Sequence, residues 1–239
     1  MTNYMNITQL NILKLENKES LENMLSKARH ANSEKFSLEG KVIEIFAASL
    51  LAHGKDRNQM RQIAQISKIL GQSLGLDREY CDKLEQAARI YDIGNVMICQ
   101  ETYQKDEKLT PEEFEAVKYH TFMGQELLET QNLPTTDLAA IISAEHHEWW
   151  DGGGYPLHKK NQEIDIASRI VAVADTVGAL FRERPGRKPW KYEKILEYIR
   201  TRRGIQFDPD VVDVFLINQE VIHKVLRVDL EEVPSHWYD

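Results

Sequence analysis

The chain has 239 residues, 30 lysines plus arginines against 38 aspartates plus glutamates, and a net charge of −8. A composition of 42% hydrophobic and 28% charged residues excludes a disordered or fibrous protein, and the acidic balance excludes a general nucleic-acid binder, so no DNA partner is expected. Folding at this length buries roughly 70–75% of the unfolded surface, enough for a core without disulfides, in one domain with a short appendage or in two small ones. The two cysteines, Cys81 and Cys99, form no CxxC motif and read as reduced thiols of the cytoplasm. Met1 to Leu13 lacks the pattern of a secretory signal. The most apolar stretch, Ala167 to Phe181, is interrupted by Arg169 and Asp175, so no membrane partner is expected.

Residues 1–36 read as a partly helical N-terminal extension, with a short helix over Ser20 to Ala31. From Ser37 the apolar residues recur at helical spacing. Val42, Ile45, Phe46 and Leu50 share a face that Gly54 can end. Met60, Ile63, Ile66, Leu70 and Leu74 follow, with Gly75 placed for a left-handed C-terminal turn. Tyr80, Leu84, Ala87/Ala88 and Tyr91 make the next stripe, closed near Gly94.

Thr110-Pro111-Glu112-Glu113 is the best start signal, a capping box with proline at the first helical position. It predicts one helix through Phe114, Val117, Thr121, Gly124 and Leu128, which puts His120 mid-helix. Further helices are predicted from Thr136 to Glu145, from Asp165 through Leu180 and from Trp190 to Arg203. A last one is predicted from Asp208-Pro209 through Phe215. The expectation is an all-α bundle: a helical domain over 37–220 and a C-terminal tail over 221–239.

Asp92, His120, the pair His146-His147 and Asp175 fall on successive helices, each about one helix plus a loop from the next. Four helices can so offer ligands to one central point. Imidazole with carboxylate suits iron, manganese or zinc rather than calcium. Buried histidines and aspartates also serve as hydrogen-bonded core groups, and that reading competes for each residue singly. The adjacent histidine pair, followed by Glu148 and the glycine run Gly152 to Gly154, favours a site. Glycines there permit positive φ and close backbone approach.

The run His146-His147-Glu148-Trp149-Trp150-Asp151-Gly152-Gly153-Gly154-Tyr155-Pro156 resembles the signature of HD-GYP domains. Flanking segments agree: Leu109 to Glu113 with His120 and Gly124, Ala167 to Asp175, Arg184-Pro185, and Gly204 to Pro209. The resemblance extends from about Val42 to Phe215. It implies an HD-superfamily helical bundle with a glycine-rich GYP loop. It also implies a two- or three-metal centre, usually of iron or manganese, that hydrolyses cyclic dinucleotides, above all cyclic di-GMP.

The chain departs from that pattern at several positions. The His-Asp pair reads Tyr91-Asp92, the lysine that usually follows is Asn95, an upstream ligand histidine is Gln59, and a later aspartate is Gly178. By resemblance, Asp92, His120, His146 and His147 still form one metal site, while the partner site keeps Asp92 and Asp175 without imidazoles. The expected centre is mononuclear rather than dinuclear, holding iron or manganese before zinc. Asp92 is the catalytic residue if turnover persists.

Arg169, Arg184, Arg187 and Lys188 lie where the pattern puts the rim, as phosphate ligands or as a solvated basic face. Trp149 and Trp150 offer stacking faces or core packing. Tyr155 is structural, ligand-facing or part of a partner surface, and the loop Gly152, Gly153, Gly154, Tyr155 and Pro156 is linked in the family to GGDEF-type cyclases. A homodimer is plausible for such a bundle. The leading functional expectation is a degenerate, regulatory or binding module of cyclic di-GMP signalling. The alternative is a working phosphodiesterase with a remodelled centre.

Overall fold

Helices begin here where short polar side chains take up backbone N–H groups that would otherwise lack partners. The computed structural model describes residues 37–99, 107–183 and 188–228, together with residues 19, 23 and 102. The expected helix over Ser20 to Ala31 lies outside them. Ser37 caps α1 (Leu38–Ala52), and Asp56 caps α2 (Arg57–Ser73) by accepting from Gln59 N at 2.8 Å. Asp77 caps α3 (Arg78–Ala87), and a 3-10 turn over Ile93–Met97 follows. The capping box opens α4 (Pro111–Lys118): Thr110 N donates to Glu113 Oε2 at 2.7 Å and Glu113 N to Thr110 Oγ1 at 3.2 Å. Then come α5 (His120–Glu129), α6 (Pro134–Glu145) and α7 (Ile166–Phe181), the last capped by Asp165. The chain continues through α8 (Tyr192–Thr201), α9 (Pro209–Ile217, capped by Asp208) and α10 (Gln219–Arg227). The described residues contain no strand beyond one isolated bridge between Arg203 and Phe207. The fold is all-α.

α2 and α7 form the middle of the bundle. α2 packs on α3, α7, α9 and α10, and α7 packs on α6, α8 and α9. Ile63, Ile66 and Leu70 of α2 and Ile170, Val173 and Val177 of α7 are fully buried. Each such side chain contributes roughly 1.5–3 kcal/mol, so this pair supplies much of the stability. Gly178 lets the two helices close up, since a Cβ there would stand 3.2 Å from Ile63 Cγ1. No described helix is long and apolar enough to cross a membrane.

Three boundaries differ from the sequence expectation. The single helix expected after Thr110 is two, because the turn at Tyr119 tightens: its N–H reaches Ala116 O at 3.3 Å. His120 Nδ1 takes the Val117 carbonyl at 2.7 Å and Thr121 Oγ1 the Lys118 carbonyl at 2.8 Å, so side chains compete with the helix for acceptors. His120 therefore begins a helix instead of sitting inside one. The helix expected from Thr136 starts two residues earlier, with Pro134 at its first position. The helix after Asp208 is also not the last. α10 follows it into what reads as a tail, and its Ile222 and Leu226 are buried in the core.

One bare-backbone contact positions the site. The 3-10 turn lies on α5 so closely that a Cβ on Gly94 would come within 1.9 Å of His120 O and 2.7 Å of Gly124 N. On the side of α5 that meets α6, a Cβ on Gly124 would lie 2.2 Å from Ser143 Oγ. This brings Asp92 and His120, from different helices, to one place. Gly94→Ala is expected to destabilise the protein by about 3 kcal/mol, the upper end for overpacking, because the obstructing atoms are backbone. Urea denaturation checks this; a loss below about 1 kcal/mol would mean that the crossing is loose.

Candidate metal centre

Helix ends supply the imidazoles. His120 is the first residue of α5, and His146 and His147 directly follow α6. One ring nitrogen from each lies within 4.8 Å of the others. Behind the cluster, His120 Nδ1 is 2.7 Å from Val117 O, and His146 Nδ1 is 2.9 Å from Ile142 O and 3.0 Å from Ser143 O. A carbonyl only accepts, so each neutral ring carries its proton on Nδ1 and turns the Nε2 lone pair toward its neighbour. The two Nε2 atoms are 3.3 Å apart. Lone pairs facing each other at that distance repel unless a proton or a cation lies between them. The orienting carbonyls are the usual outer partners of metal-bound histidine.

Asp92 joins this cluster from the turn after α3, just before the 3-10 helix Ile93–Met97. Its Oδ1 lies 3.6 Å from His120 Nε2 and 3.9 Å from His146 Nε2. Its other oxygen, Oδ2, accepts from the ammonium of Lys55, and the two side chains are 12% and 8% exposed. Lys55 comes from the corner between α1 and α2. Gly54, at φ 105, turns the chain there, and Gly54 N and Lys55 N close the end of α1 on Leu51 O and Leu50 O. Burial by itself would raise the Asp92 carboxyl; Lys55, then His120 and His146, overcome it and hold it well below the usual carboxylate range. Burial lowers the pKa of the His120 ring, with Asp92 opposing, and lowers that of His147 further with the help of His146 and His120. Both rings are neutral near pH 7, the form that binds a metal.

The structure places the other candidates apart from this cluster. Asp175, in the middle of α7, accepts from the Tyr91 hydroxyl at 2.9 Å, and Tyr91 sets its ring edge-on to His146 at 4.8 Å. Gln59 is buried, and its Nε2 has no hydrogen-bond partner. Asn95 turns inward and donates to Asp92 O at 3.0 Å. Arg169 is not a rim cation. Its Nη1 is paired with buried Asp208 at 2.6 Å, and its guanidinium lies 5.8 Å from the Trp150 ring, because α7 and the cap of α9 meet there. Lys188 is exposed, while Arg184 and Arg187 lie outside the described residues.

Tyr155 packs onto the centre. Its ring stacks on His147 at 4.7 Å and 28°, Lys118 Nζ stands 5.3 Å from it, and burial pushes its hydroxyl pKa up. Glu148, which sequence reasoning left without a role, anchors the glycine loop by accepting from Leu157 N at 2.5 Å. Burial raises its carboxyl, with the loop N–H groups opposing. Gly154 cannot carry a side chain, since a Cβ would lie 2.3 Å from Trp149 N and 2.4 Å from His147 O. Lys55 was also missed. A lysine beside a helix cap carries no sequence signal, and only the reach to Asp92 reveals it. A cavity of about 230 Å³ opens beside the cluster, lined by His146, His147, Trp149, Asp175, Thr176 and Gln206 among others.

A family model described as HD domain matches residues 41–211. The chain belongs to the HD-domain family. It is 35% identical over 198 residues to a cyclic di-GMP phosphodiesterase of Thermotoga maritima, covering 82% of this chain and 53% of that protein. With a probable cyclic di-GMP phosphodiesterase of Vibrio cholerae it shares 32% identity over 228 residues, 86% of this chain and 52% of the relative. The chain thus spans about half the length of the curated relatives it matches. Among solved structures, a HDG"Y"P protein of Bdellovibrio bacteriovorus superposes with a TM-score of 0.59 at 14% identity, over 92% of this chain and 75% of that one, a likeness of fold. HD domains bind divalent metals, and the residues here fit such an ion. Three imidazoles and one oxygen of Asp92 converge, and the facing Nε2 atoms of His120 and His146 can take a cation between them.

Two outcomes follow for this centre. The folded rings of His120 and His147 titrate below 6.5, so as the pH falls the unfolded chain takes up protons first. Their contribution to stability is complete above about pH 6.5 and is lost below it, as the pH approaches the folded values. Thermal melts of the chelated protein from pH 8 to pH 5 should show a falling melting temperature, with a flatter fall in His147→Gln. A rise on acidification would contradict the neutral rings. Manganese at about a hundred times its Kd should stabilise the fold by about 2.7 kcal/mol, and chelator should reverse this. His146→Ala should abolish the response, and a melting curve indifferent to metal and chelator would mean that the histidines are ordinary core groups.

Proposed function

We propose that this chain is a binding and regulatory module of cyclic di-nucleotide signalling that holds one metal ion and hydrolyses its ligand slowly or not at all. The observation that carries the reading is the Tyr91 hydroxyl donating to Asp175. The carboxylate available to a second ion is occupied by a phenol, and the nearby positions Tyr91 and Gln59 bring no imidazole. Two-metal phosphate hydrolysis relies on ions about 3.5–4 Å apart that together activate one water and clamp the leaving oxygen. A single bound ion supplies only polarisation of a phosphate oxygen.

The rest of the reading concerns how a nucleotide would be held. The cavity of about 230 Å³ is smaller than the roughly 300–1,000 Å³ of sites that enclose a drug-sized ligand, so one base or phosphate enters and the remainder stays at the rim. Trp149, in the cavity wall, offers a stacking face, and Arg184, Arg187 and Lys188 offer cations to phosphate. The mixed imidazole and carboxylate donors suit iron, manganese or zinc, and the resemblance to HD-GYP domains puts iron or manganese first. The phosphodiesterase names of the relatives support cyclic di-GMP as ligand. The glycine loop, held from behind by Glu148, is the proposed contact for a GGDEF-type or other signalling protein, and a homodimer is compatible with it. Free Cys81 and Cys99 support a cytoplasmic setting.

Turnover decides between this reading and an active phosphodiesterase. Protein loaded anaerobically with iron or manganese is incubated with cyclic di-GMP beside an Asp92→Ala control, and the products are separated by chromatography. The expected outcome is intact nucleotide with calorimetric binding in the micromolar range. Linear dinucleotide that disappears in the control would make the protein an enzyme and overturn the proposal.

A further inference from the structure

The Lys55–Asp92 pair divides the centre into two halves. On one side, Asp92 Oδ1 faces the Nε2 atoms of His120 and His146 at 3.6 and 3.9 Å. On the other, Oδ2 accepts from an ammonium whose side chain is only 8% exposed. A carboxylate that bridges two metal ions presents one oxygen to each. Here one oxygen is left for a metal and the other is taken by a covalently tethered cation. The positions that the family resemblance gives to a second ion are consistent with this. Asp175 accepts from Tyr91, and Gln59 is a neutral amide at the start of α2, four residues beyond Lys55.

We propose that the Lys55 ammonium is the second cation of this centre, competing with metal for Asp92 and restricting the chain to one metal ion. A second divalent ion at Oδ2 would have to displace a buried ammonium from a charge-assisted hydrogen bond. Lys55 therefore supplies positive charge that does not depend on metal supply. This deepens the proposed function and rests on its single-ion reading, although it makes no claim about nucleotide binding or turnover.

Metal stoichiometry tests it directly. Wild-type full-length chain, dialysed against manganese, should hold one equivalent by elemental analysis and give the six-line spectrum of an isolated ion in electron paramagnetic resonance. Lys55→Glu should admit a second equivalent and a spin-coupled spectrum, whereas Lys55→Arg should stay at one. Lys55→Gln, which removes the charge with little change of shape, should bind the first ion at least tenfold more tightly, since the competing cation is gone. Two equivalents with a coupled spectrum in the wild type would overturn the proposal. A Lys55→Glu chain that remains at one, or a Lys55→Gln affinity that is unchanged or weaker, would do the same. Should Lys55→Glu fail to fold, the wild-type stoichiometry and the Lys55→Gln affinity still decide. Absence of metal under every loading condition overturns both this inference and the proposed function; hydrolysis by a one-metal wild type overturns only the latter.

Discussion

A carboxylate buried at the meeting point of several helices is the constraint on which this structure turns. Asp92 is ionised in surroundings that disfavour charge, and it persists there because the buried Lys55 ammonium is paired with it. Removing one partner of a buried ion pair typically costs roughly 3–5 kcal/mol, much more than an exposed pair contributes. The corner after α1 is so tied by an ion pair to the turn after α3, and the start of α5 and the end of α6 close on the same carboxylate. The apolar pairing of α2 and α7 supplies bulk stability, but it leaves the relative placement of those helix ends open. The bare contact of Gly94 on His120 and the charge on Asp92 together set it.

The signature run divides its labour between chemistry and support. His146 faces the cluster, oriented by carbonyls of the helix it follows, and His147 joins it beside the Tyr155 ring. Glu148, Gly154 and Tyr155 build the wall behind them: the carboxylate gathers loop N–H groups, the glycine permits close passage past His147 O, and the tyrosine ring covers His147. A loop held in this way presents its outer side as a fixed surface. It shields the histidines.

Much of the fold is legible from local chemistry. Caps at Thr110, Asp165 and Asp208 and the left-handed turns at Gly75 and Gly204 depend on residues within a few positions, and so they can be read in the sequence. The apolar faces of α2 and α7 follow from helical periodicity, a property of the chain alone. Less legible are the ends of α4 and α5, because the break at Tyr119 arises from competition between side chains and the backbone for carbonyls. The role of α10 is hidden for another reason: its burial depends on what the rest of the bundle leaves open.

For the site, the sequence by itself determined which residue types are available: three imidazoles, two carboxylates, a glycine loop, and tyrosine and glutamine where imidazoles are expected. Tertiary structure alone decided their partners. It joined Arg169 to Asp208, Tyr91 to Asp175 and Lys55 to Asp92, and it turned the Nε2 atoms of His120 and His146 toward one point. The physical reason is that charge pairing and lone-pair direction act over a few ångströms in space between residues far apart in the chain, where no periodicity or local propensity records them.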